Sequence, residues 1–155
     1  IKFHNLTGEF LFLHIFKYHK IMSMIQEEQQ LSLTKPLSKK DRFIVNMLNS
    51  AHRDDCWVIT DPEGNDNPIV YVSPGFRTAT GYSYEEMVGR NCRFLQGDGT
   101  NKEEVSKIKF ATEHDTEASA NITNYRRDGT PFHNEFFVTP LHTEEGAPAY
   151  FLSVQ

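Results

Sequence analysis

The stretch from Gly89 to Gly97, GRNCRFLQG, places one cysteine between an asparagine and an arginine, with a glutamine four positions further on. Cys92 is therefore a thiol among hydrogen-bonding groups. An ordinary cysteine pKa of about 8.5 leaves the thiol mostly protonated at neutral pH, and the apolar neighbours Phe94 and Leu95 favour that form. The pattern predicts a thiol that reacts only after activation, although a lone cysteine is also common as a small buried filler.

Strand-like segments lie on both sides of this stretch. They read CWVIT, IVYV, SANITNY, FHNEFFVTP and PAYFLSV, at 56–60, 69–72, 119–125, 132–140 and 148–154. Turn signals separate them, including Asp128-Gly129, which is typical of a hairpin. Helical spacing is clearest at 84–88 and 101–112. Short strands with helices grouped between the second and the third predict an antiparallel α+β domain.

Three of these segments carry a carboxamide on the same face as apolar residues, because alternate residues of a strand share a face. The sets are Ala120, Ile122 and Asn124; Asn134, Phe136 and Val138; and Phe151, Ser153 and Gln155. If these faces line one interior, each unpaired amide would cost about 1 to 3 kcal/mol. A planar heteroaromatic ligand with donors and acceptors along its edge would pair with them. With the opposite parity, the amides face solvent and need no ligand.

The nonapeptide and its ordered neighbours resemble LOV (light-oxygen-voltage) domains, the flavin-binding blue-light sensors of the PAS superfamily. The resemblance runs from about Cys56 to Gln155, through WVITDPEGNDNPIVYVSPGF, TGYSYEEMVGRNCRFLQGDGT, NYRRDGTPFHNE and YFLSVQ. It implies the α+β PAS fold, a five-stranded antiparallel sheet with short helices that enclose a flavin pocket. We expect this domain at 55–155, a flanking helix at 38–54, and an N-terminal flank at 1–37 that is helical or partly foreign to the natural protein.

The resemblance also implies a function, that of a blue-light photoreceptor domain with non-covalently bound FMN. Illumination would join the Cys92 sulfur to flavin carbon C4a and protonate N5, and the bond would break again thermally. Gln155, at flavin N5 and O4, would reorganise its hydrogen bonds and pass the signal to flanking helices or to an effector. No enzymatic activity is expected of the chain itself, and the kind of effector stays open.

Further cofactor contacts follow from the same resemblance. The predicted pocket amides are Asn91, Gln96, Asn124 and Asn134, the predicted phosphate partners are Arg93 and Lys109, and the residues near the ring are Val58, Thr60, Asn67, Ile122, Phe136, Val138 and Phe151. Lys109 stands where a second arginine is common, and a lysine lacks the bidentate geometry of a guanidinium, which predicts a weaker hold on the phosphate. The short loop after Gln96 favours FMN over FAD.

Composition limits the partners and the location. The 155 residues carry a formal net charge of -5, and no basic run is longer than the two residues of Lys39-Lys40, so we expect no direct contact with nucleic acid. The two cysteines, Cys56 and Cys92, form no CxxC pair, which argues against a zinc site and a disulfide framework. No metal is predicted, and the expected location is a reducing cytoplasm.

The N-terminal segment GEFLFLHIFKYHKIM, at 8–22, has apolar residues at helical spacing that charged and histidine residues interrupt. It is too short for the roughly 20 apolar residues of a membrane helix, so no membrane span is predicted. Two interpretations stay open. Met22 or Met24 is the true start and the upstream residues are an artefact, or the segment is an amphipathic helix that packs on a partner.

A helix start is predicted at Ser38, with Asp41 three residues later. The apolar face predicted for this helix consists of Ile44, Met47, Leu48 and Ala51. In LOV proteins a helix at this position covers the outer face of the sheet or forms a dimer contact. We therefore predict a homodimer through this helix or the sheet face.

Two other functions fit part of the pattern. A flavoenzyme could use Cys92 in redox chemistry without light, but the chain has no CxxC and no GxGxxG motif, and His133 has a parity opposite to Asn134. A PAS interaction module that binds another ligand, or none, would leave the amides and the GRNCRFLQG stretch without a role.

Overall fold

The computed structural model of the protein describes residues 31–155, so the predicted N-terminal segment at 8–22 lies outside the described part. Five strands form one antiparallel sheet in the order β2-β1-β5-β4-β3. The strands are β1 (Trp57–Thr60), β2 (Ile69–Val72), β3 (Ala118–Tyr125), β4 (Pro131–His142) and β5 (Pro148–Val154). The predicted α+β class and the five-stranded PAS sheet are confirmed.

The helices cluster between β2 and β3, as predicted, with one more before β1. They are α1 (Lys39–Ala51), α2 (Pro74–Thr80), α3 (Tyr84–Met87), a 3-10 turn (Cys92–Leu95) and α4 (Lys102–Glu113). At the start of every one of them, the side-chain oxygen of a serine or asparagine accepts a backbone N–H of the first turn. These residues are Ser38, Ser73, Ser83, Asn91 and Asn101. These residues end the preceding loops because their side-chain oxygens satisfy otherwise unpaired N–H groups.

The inner face of the sheet has the predicted parity. Val58 of β1 and Val138 of β4 both stand opposite Ser153 of β5, and Ile122 of β3 stands opposite Asn134 of β4. These side chains therefore share one surface across the sheet. The four elements from α2 to α4 cover that surface.

The buried face predicted for α1 is right for Leu48, which is buried, whereas Ile44 is half-buried and the prediction is wrong for Met47 and Ala51. Its buried residues are Asp41, Val45 and Leu48, whereas Met47 is 41% exposed and Ala51 is exposed. The reason is Asp41, whose Oδ2 accepts the backbone N–H of His142 at 2.8 Å and so turns a polar residue towards the sheet. A count of apolar residues assigns Met47 to the core because it cannot include this polar anchor.

The sequence left two positions open for α1, on the outer face of the sheet or at a dimer contact. In the structure α1 lies on the outer face of the sheet. The indole N–H of Trp57 donates to the backbone oxygen of His52 at 3.1 Å, and the hydroxyl of Tyr71 donates to Asn49 Oδ1 at 3.1 Å. The Trp57 and Tyr71 rings are stacked 4.8 Å apart. Both rings are buried, so α1 and the sheet enclose an apolar layer on the outer side.

Two apolar clusters fill the inner side. One joins β1 and β2 to α2, α3 and the 3-10 turn, through Val58, Ile69, Val72, Phe76, Met87 and Leu95. The other joins α4 to β4 and β5, through Ala111, Val138 and Phe151. Within residues 31–155, no helix is long and apolar enough to cross a bilayer.

Candidate functional site

A cavity of about 540 Å³ lies between the inner face of the sheet and the elements that cover it. Val58, Phe76 and Leu95 line it from the first apolar cluster and Val138 from the second, so the cavity separates the two. Its volume falls in the range of roughly 300 to 1,000 Å³ that is typical of small-molecule sites. The fold thus encloses space for one organic ligand against a mostly apolar wall.

Cys92 reaches this cavity as the first residue of the 3-10 turn. Asn91 begins the turn, since its Oδ1 accepts the backbone N–H of Arg93 at 3.0 Å. Burial raises the pKa of the Cys92 thiol to about 12, against a smaller opposing effect of its own backbone N–H and of Arg93. The thiol is therefore neutral at physiological pH and keeps its proton on Sγ, as the apolar neighbours predict.

Asn124 and Asn134 both line the cavity, but they are not unpaired. Asn134 Nδ2 donates to Asn124 Oδ1 at 2.8 Å, and Asn124 Nδ2 donates to the backbone oxygen of Leu95 at 3.2 Å. The expectation that each amide needs a ligand is therefore wrong for Asn124, whose oxygen and nitrogen both have protein partners. This chain of bonds also ties the 3-10 turn to β3 and β4.

Two other amide oxygens at the cavity are buried without a partner among residues 31–155: Asn67 Oδ1 and Gln155 Oε1. The backbone of Gln155 is fixed, because its N–H donates to the carbonyl of Cys56 at 2.9 Å. A buried acceptor without a donor costs about 1 to 3 kcal/mol. A ligand with N–H or O–H groups at these two points would remove that cost.

The predicted contact of Asn91 lies at the cavity, but its side chain already has protein partners. Asn91 Nδ2 donates to the backbone oxygen of Asp66 at 2.7 Å and to that of Asn67 at 3.4 Å. Together with the bond from Arg93 N–H to its Oδ1, both ends of the amide hold protein backbone. Asn91 therefore positions the loop between β1 and β2 against the 3-10 turn.

The two predicted phosphate partners lie at the cavity, and each has a carboxylate beside it. Arg93 Nη1 forms an ion pair with Asp66 Oδ2, and Lys109 Nζ lies 3.7 Å from Glu113 Oε1. Asp66 and Glu113 also line the cavity. Neither carboxylate was expected in the site. Glu113 is four residues from Lys109 on α4, so the spacing in the sequence predicts this ion pair on one helix face. Nothing local in the sequence links Asp66 to Arg93.

The remaining predicted residues differ in their position relative to the cavity. Phe151 does not line the cavity: it is packed against Ala111 and Val138, because α4 lies over this part of β5. The other predicted residues that line the cavity are Val58, Thr60, Asn67, Gln96, Ile122, Phe136 and Val138. Sequence reasoning missed apolar wall residues of the helices, namely Phe76, Val105 and Ile108.

The end of the GRNCRFLQG stretch packs on a tyrosine of β3. A side-chain carbon added to Gly97 would lie 2.5 Å from Cε2 of Tyr125, so a larger residue does not fit. The Tyr125 hydroxyl accepts the backbone N–H of Gly99 at 2.9 Å. These contacts fix the segment that joins the 3-10 turn, which carries Cys92, to α4, which carries Lys109.

Comparison with known proteins places the chain in a family. The family model described as "PAS domain" matches residues 54–155. The chain is 48% identical to a blue-light photoreceptor of Listeria monocytogenes over 98 residues, which are 63% of this chain and 38% of the relative. It is 44% identical to blue-light-activated histidine kinase 1 of Erythrobacter litoralis over 97 residues, which are 63% of this chain and 27% of the relative. The chain thus spans less than half the length of these curated relatives.

A solved structure agrees with the sequence matches. The structure described as "Flavin Analogue Sheds Light on Light-Oxygen-Voltage Domain Mechanism" superposes with a TM-score of 0.69 at 42% sequence identity, and covers 76% of this chain and 86% of that one. The two chains therefore share the fold and 42% of their aligned residues. The chain belongs to the PAS superfamily and, within it, is a LOV domain.

Proposed function

We propose that residues 54–155 are the sensor domain of a blue-light photoreceptor, which binds FMN without a covalent bond in the dark and uses Cys92 as its light-dependent reacting group. One observation carries the proposal: a neutral thiol lies at a ligand-sized cavity. The printed names of the two curated relatives, both blue-light proteins, support the same function.

The residues present fit a flavin. Its ring system is flat and apolar on its faces, and its edge carries an N–H donor beside carbonyl and ring-nitrogen acceptors. The N–H and the hydroxyl groups of a flavin are donors of the kind that the buried oxygen Asn67 Oδ1 lacks. The flavin acceptors N5 and O4 need the NH2 group of Gln155, which a half-turn of the side-chain amide presents in place of the unpaired Oε1. Ile122 and Phe136 supply apolar contact surface. Arg93 and Lys109 would face the phosphate, at the charged side of the cavity.

When bound, the flavin supplies blue-light absorption and a ring carbon, C4a, to which a thiol adds reversibly. Cys92 supplies sulfur and proton together, because its raised pKa keeps the thiol neutral. Cys92 is partly buried against the apolar cluster that contains Phe76 and Leu95, which disfavours the thiolate. The protein thus holds a reactive group in an unreactive form until light arrives.

Gln155 is proposed to pass the change on to the sheet. Its side chain carries both a donor and an acceptor, so it can present either group to the cavity after a rotation. It directly follows β5, which is paired with β1 on one side and β4 on the other. A shift of Gln155 is passed from β5 to β1 and β4. Because α1 covers the outer face of the sheet, the signal has a route out of the domain through this helix.

Sensing, and not catalysis, is the role proposed for residues 54–155. The relative named a histidine kinase contains its matching segment within a longer chain, of which this chain covers 27%. An effector joined to the sensor would supply the output activity.

The test is an absorption spectrum of the purified protein before and after a blue pulse, for the wild type, Cys92→Ala and Cys56→Ala. The proposal predicts a yellow protein whose blue absorption bleaches and then recovers in the dark. Cys56→Ala, the matched control, retains this cycle, and Cys92→Ala loses it. A colourless wild type, or bleaching and recovery that persist in Cys92→Ala, would overturn the proposal.

A further inference from the structure

Asp66 stands at the charged side of the cavity in a fixed position. It and Asn67 have φ angles of 66° and 47°, in the left-handed region that aspartate and asparagine tolerate better than most residues. Asn91 Nδ2 donates to the Asp66 backbone oxygen at 2.7 Å. The backbone is therefore held, and the carboxylate is directed to Arg93, with which it forms an ion pair.

This ion pair changes the charge that a ligand meets. Among the described residues that line the cavity, the charged ones are Asp66, Arg93, Lys109 and Glu113. Two positive and two negative charges sum to zero, so a phosphate at this point meets attraction and repulsion together. The side chains of Arg93 and Asp66 are 59% and 54% exposed, which further weakens their effect by solvent screening.

We propose that Asp66 is a specificity-determining residue of this site, one that lowers its preference for FMN over riboflavin, the same flavin without the phosphate. The inference rests on the proposed function. Asp66 neutralises Arg93, the cation that directly follows Cys92 in sequence. The contacts of the flavin ring, and not those of the phosphate, therefore contribute most of the free energy of flavin binding. The ring meets the same apolar walls and the same two buried amides in either flavin.

The experiment compares the affinities of flavin-free protein for FMN and for riboflavin, by quenching of flavin fluorescence, in the wild type and in Asp66→Asn. Asparagine keeps the tolerance for a positive φ and removes only the charge. We expect less than about tenfold preference for FMN in the wild type, and an FMN-to-riboflavin affinity ratio about three- to tenfold higher in Asp66→Asn. High salt should remove most of this gain.

Glu145→Gln is the control, since it removes one negative charge in the turn between β4 and β5, away from the cavity lining. Its affinity ratio should equal that of the wild type. An unchanged ratio in Asp66→Asn, or an equal rise in both variants, would overturn the inference while leaving the proposed function intact. A wild type that binds neither flavin would overturn both.

Discussion

Burial decides which chemistry Cys92 can offer. In a polar, electropositive setting a cysteine becomes a standing thiolate, which reacts with oxidants and electrophiles at all times. Here the surrounding apolar side chains penalise the anion, and the raised pKa keeps the proton on sulfur. Arg93 follows directly in sequence and lowers the pKa of Cys92, but by less than burial raises it.

The raised pKa predicts a specific loss of stability at alkaline pH. Folded Cys92 holds its proton up to about pH 12, whereas the unfolded chain loses it above about 8.5. The contribution is therefore present below about pH 8.5 and is lost as the pH rises towards 12. Relative to Cys92→Ala, the free energy of unfolding should fall by at most about 1.4 kcal/mol per pH unit in that window. Urea unfolding at a series of pH values measures it, and parallel curves for the two proteins would contradict the raised pKa.

Individual residues were predictable where their role is local. The parity of β3 and β4 brings Asn124 and Asn134 to one face, and alternation along a strand is sufficient to infer it. The role of Asn91 was not predictable, because its amide bonds to a loop 25 positions away in the sequence. Phe151 has the right parity, yet the cover that α4 provides over β5 removes it from the cavity.

Among the elements, α1 is the one whose attachment depends most on polar groups. At its start, the backbone N–H of Ser38 donates to the carbonyl of His142 at 2.8 Å, and Asp41 Oδ2 accepts the N–H of the same His142. Asp41 is 7% exposed, so water does not readily replace this partner. The flanking helix is thereby attached to the last residue of β4.

Asp41→Ala should therefore loosen α1 without disturbing the cavity. The change leaves the partly buried N–H of His142 without its partner, which costs at most about 1 to 3 kcal/mol. We expect faster amide hydrogen exchange in Lys39–Ala51 and a lower free energy of unfolding, with flavin binding retained. Lys40→Ala, an exposed neighbour on the same helix, is the control. Equal exchange rates in the two variants would contradict the assigned role of Asp41.

Elements were predicted well where their patterns are long or their turns are clear. The strands at 119–125 and 132–140 and the helix at 101–112 agree with the structure to within about two residues. Helix α2 (Pro74–Thr80) was missed; its signal in the sequence is its start, where Ser73 accepts the N–H of Phe76 and Pro74 is the first helical residue. The pairing of β1 with β5 was also out of reach, because it joins the first strand to the last and no local signal encodes it.

At the scale of the whole molecule, exposed aromatic residues bear on the predicted homodimer. Phe43 on α1 is 69% exposed, and Phe137 on the outer face of β4 is 40% exposed. Both add apolar area to the outer side of the domain, and contiguous exposed apolar area is typical of surfaces that bind another protein. The side chains that α1 leaves uncovered are thus in place for contact with a second copy.

We predict that the chain dimerises through this outer side, and that Phe43→Glu together with Phe137→Glu shifts it towards the monomer. Light scattering coupled to size-exclusion chromatography gives the molar mass at several concentrations. Phe110→Glu is the control, because Phe110 is 59% exposed but lies on α4, which covers the inner face. A wild type of monomer mass at every concentration would contradict the prediction.

The central claim is that a neutral Cys92 thiol is consumed when the bound flavin absorbs light. Infrared difference spectroscopy of Cys56→Ala, in which Cys92 is the remaining cysteine, tests it most directly through the S–H stretching band. The band should be present in the dark, disappear after a blue pulse, and return at the same rate as the visible absorption. An S–H band that is absent in the dark, or that persists while the visible absorption bleaches, would contradict the claim.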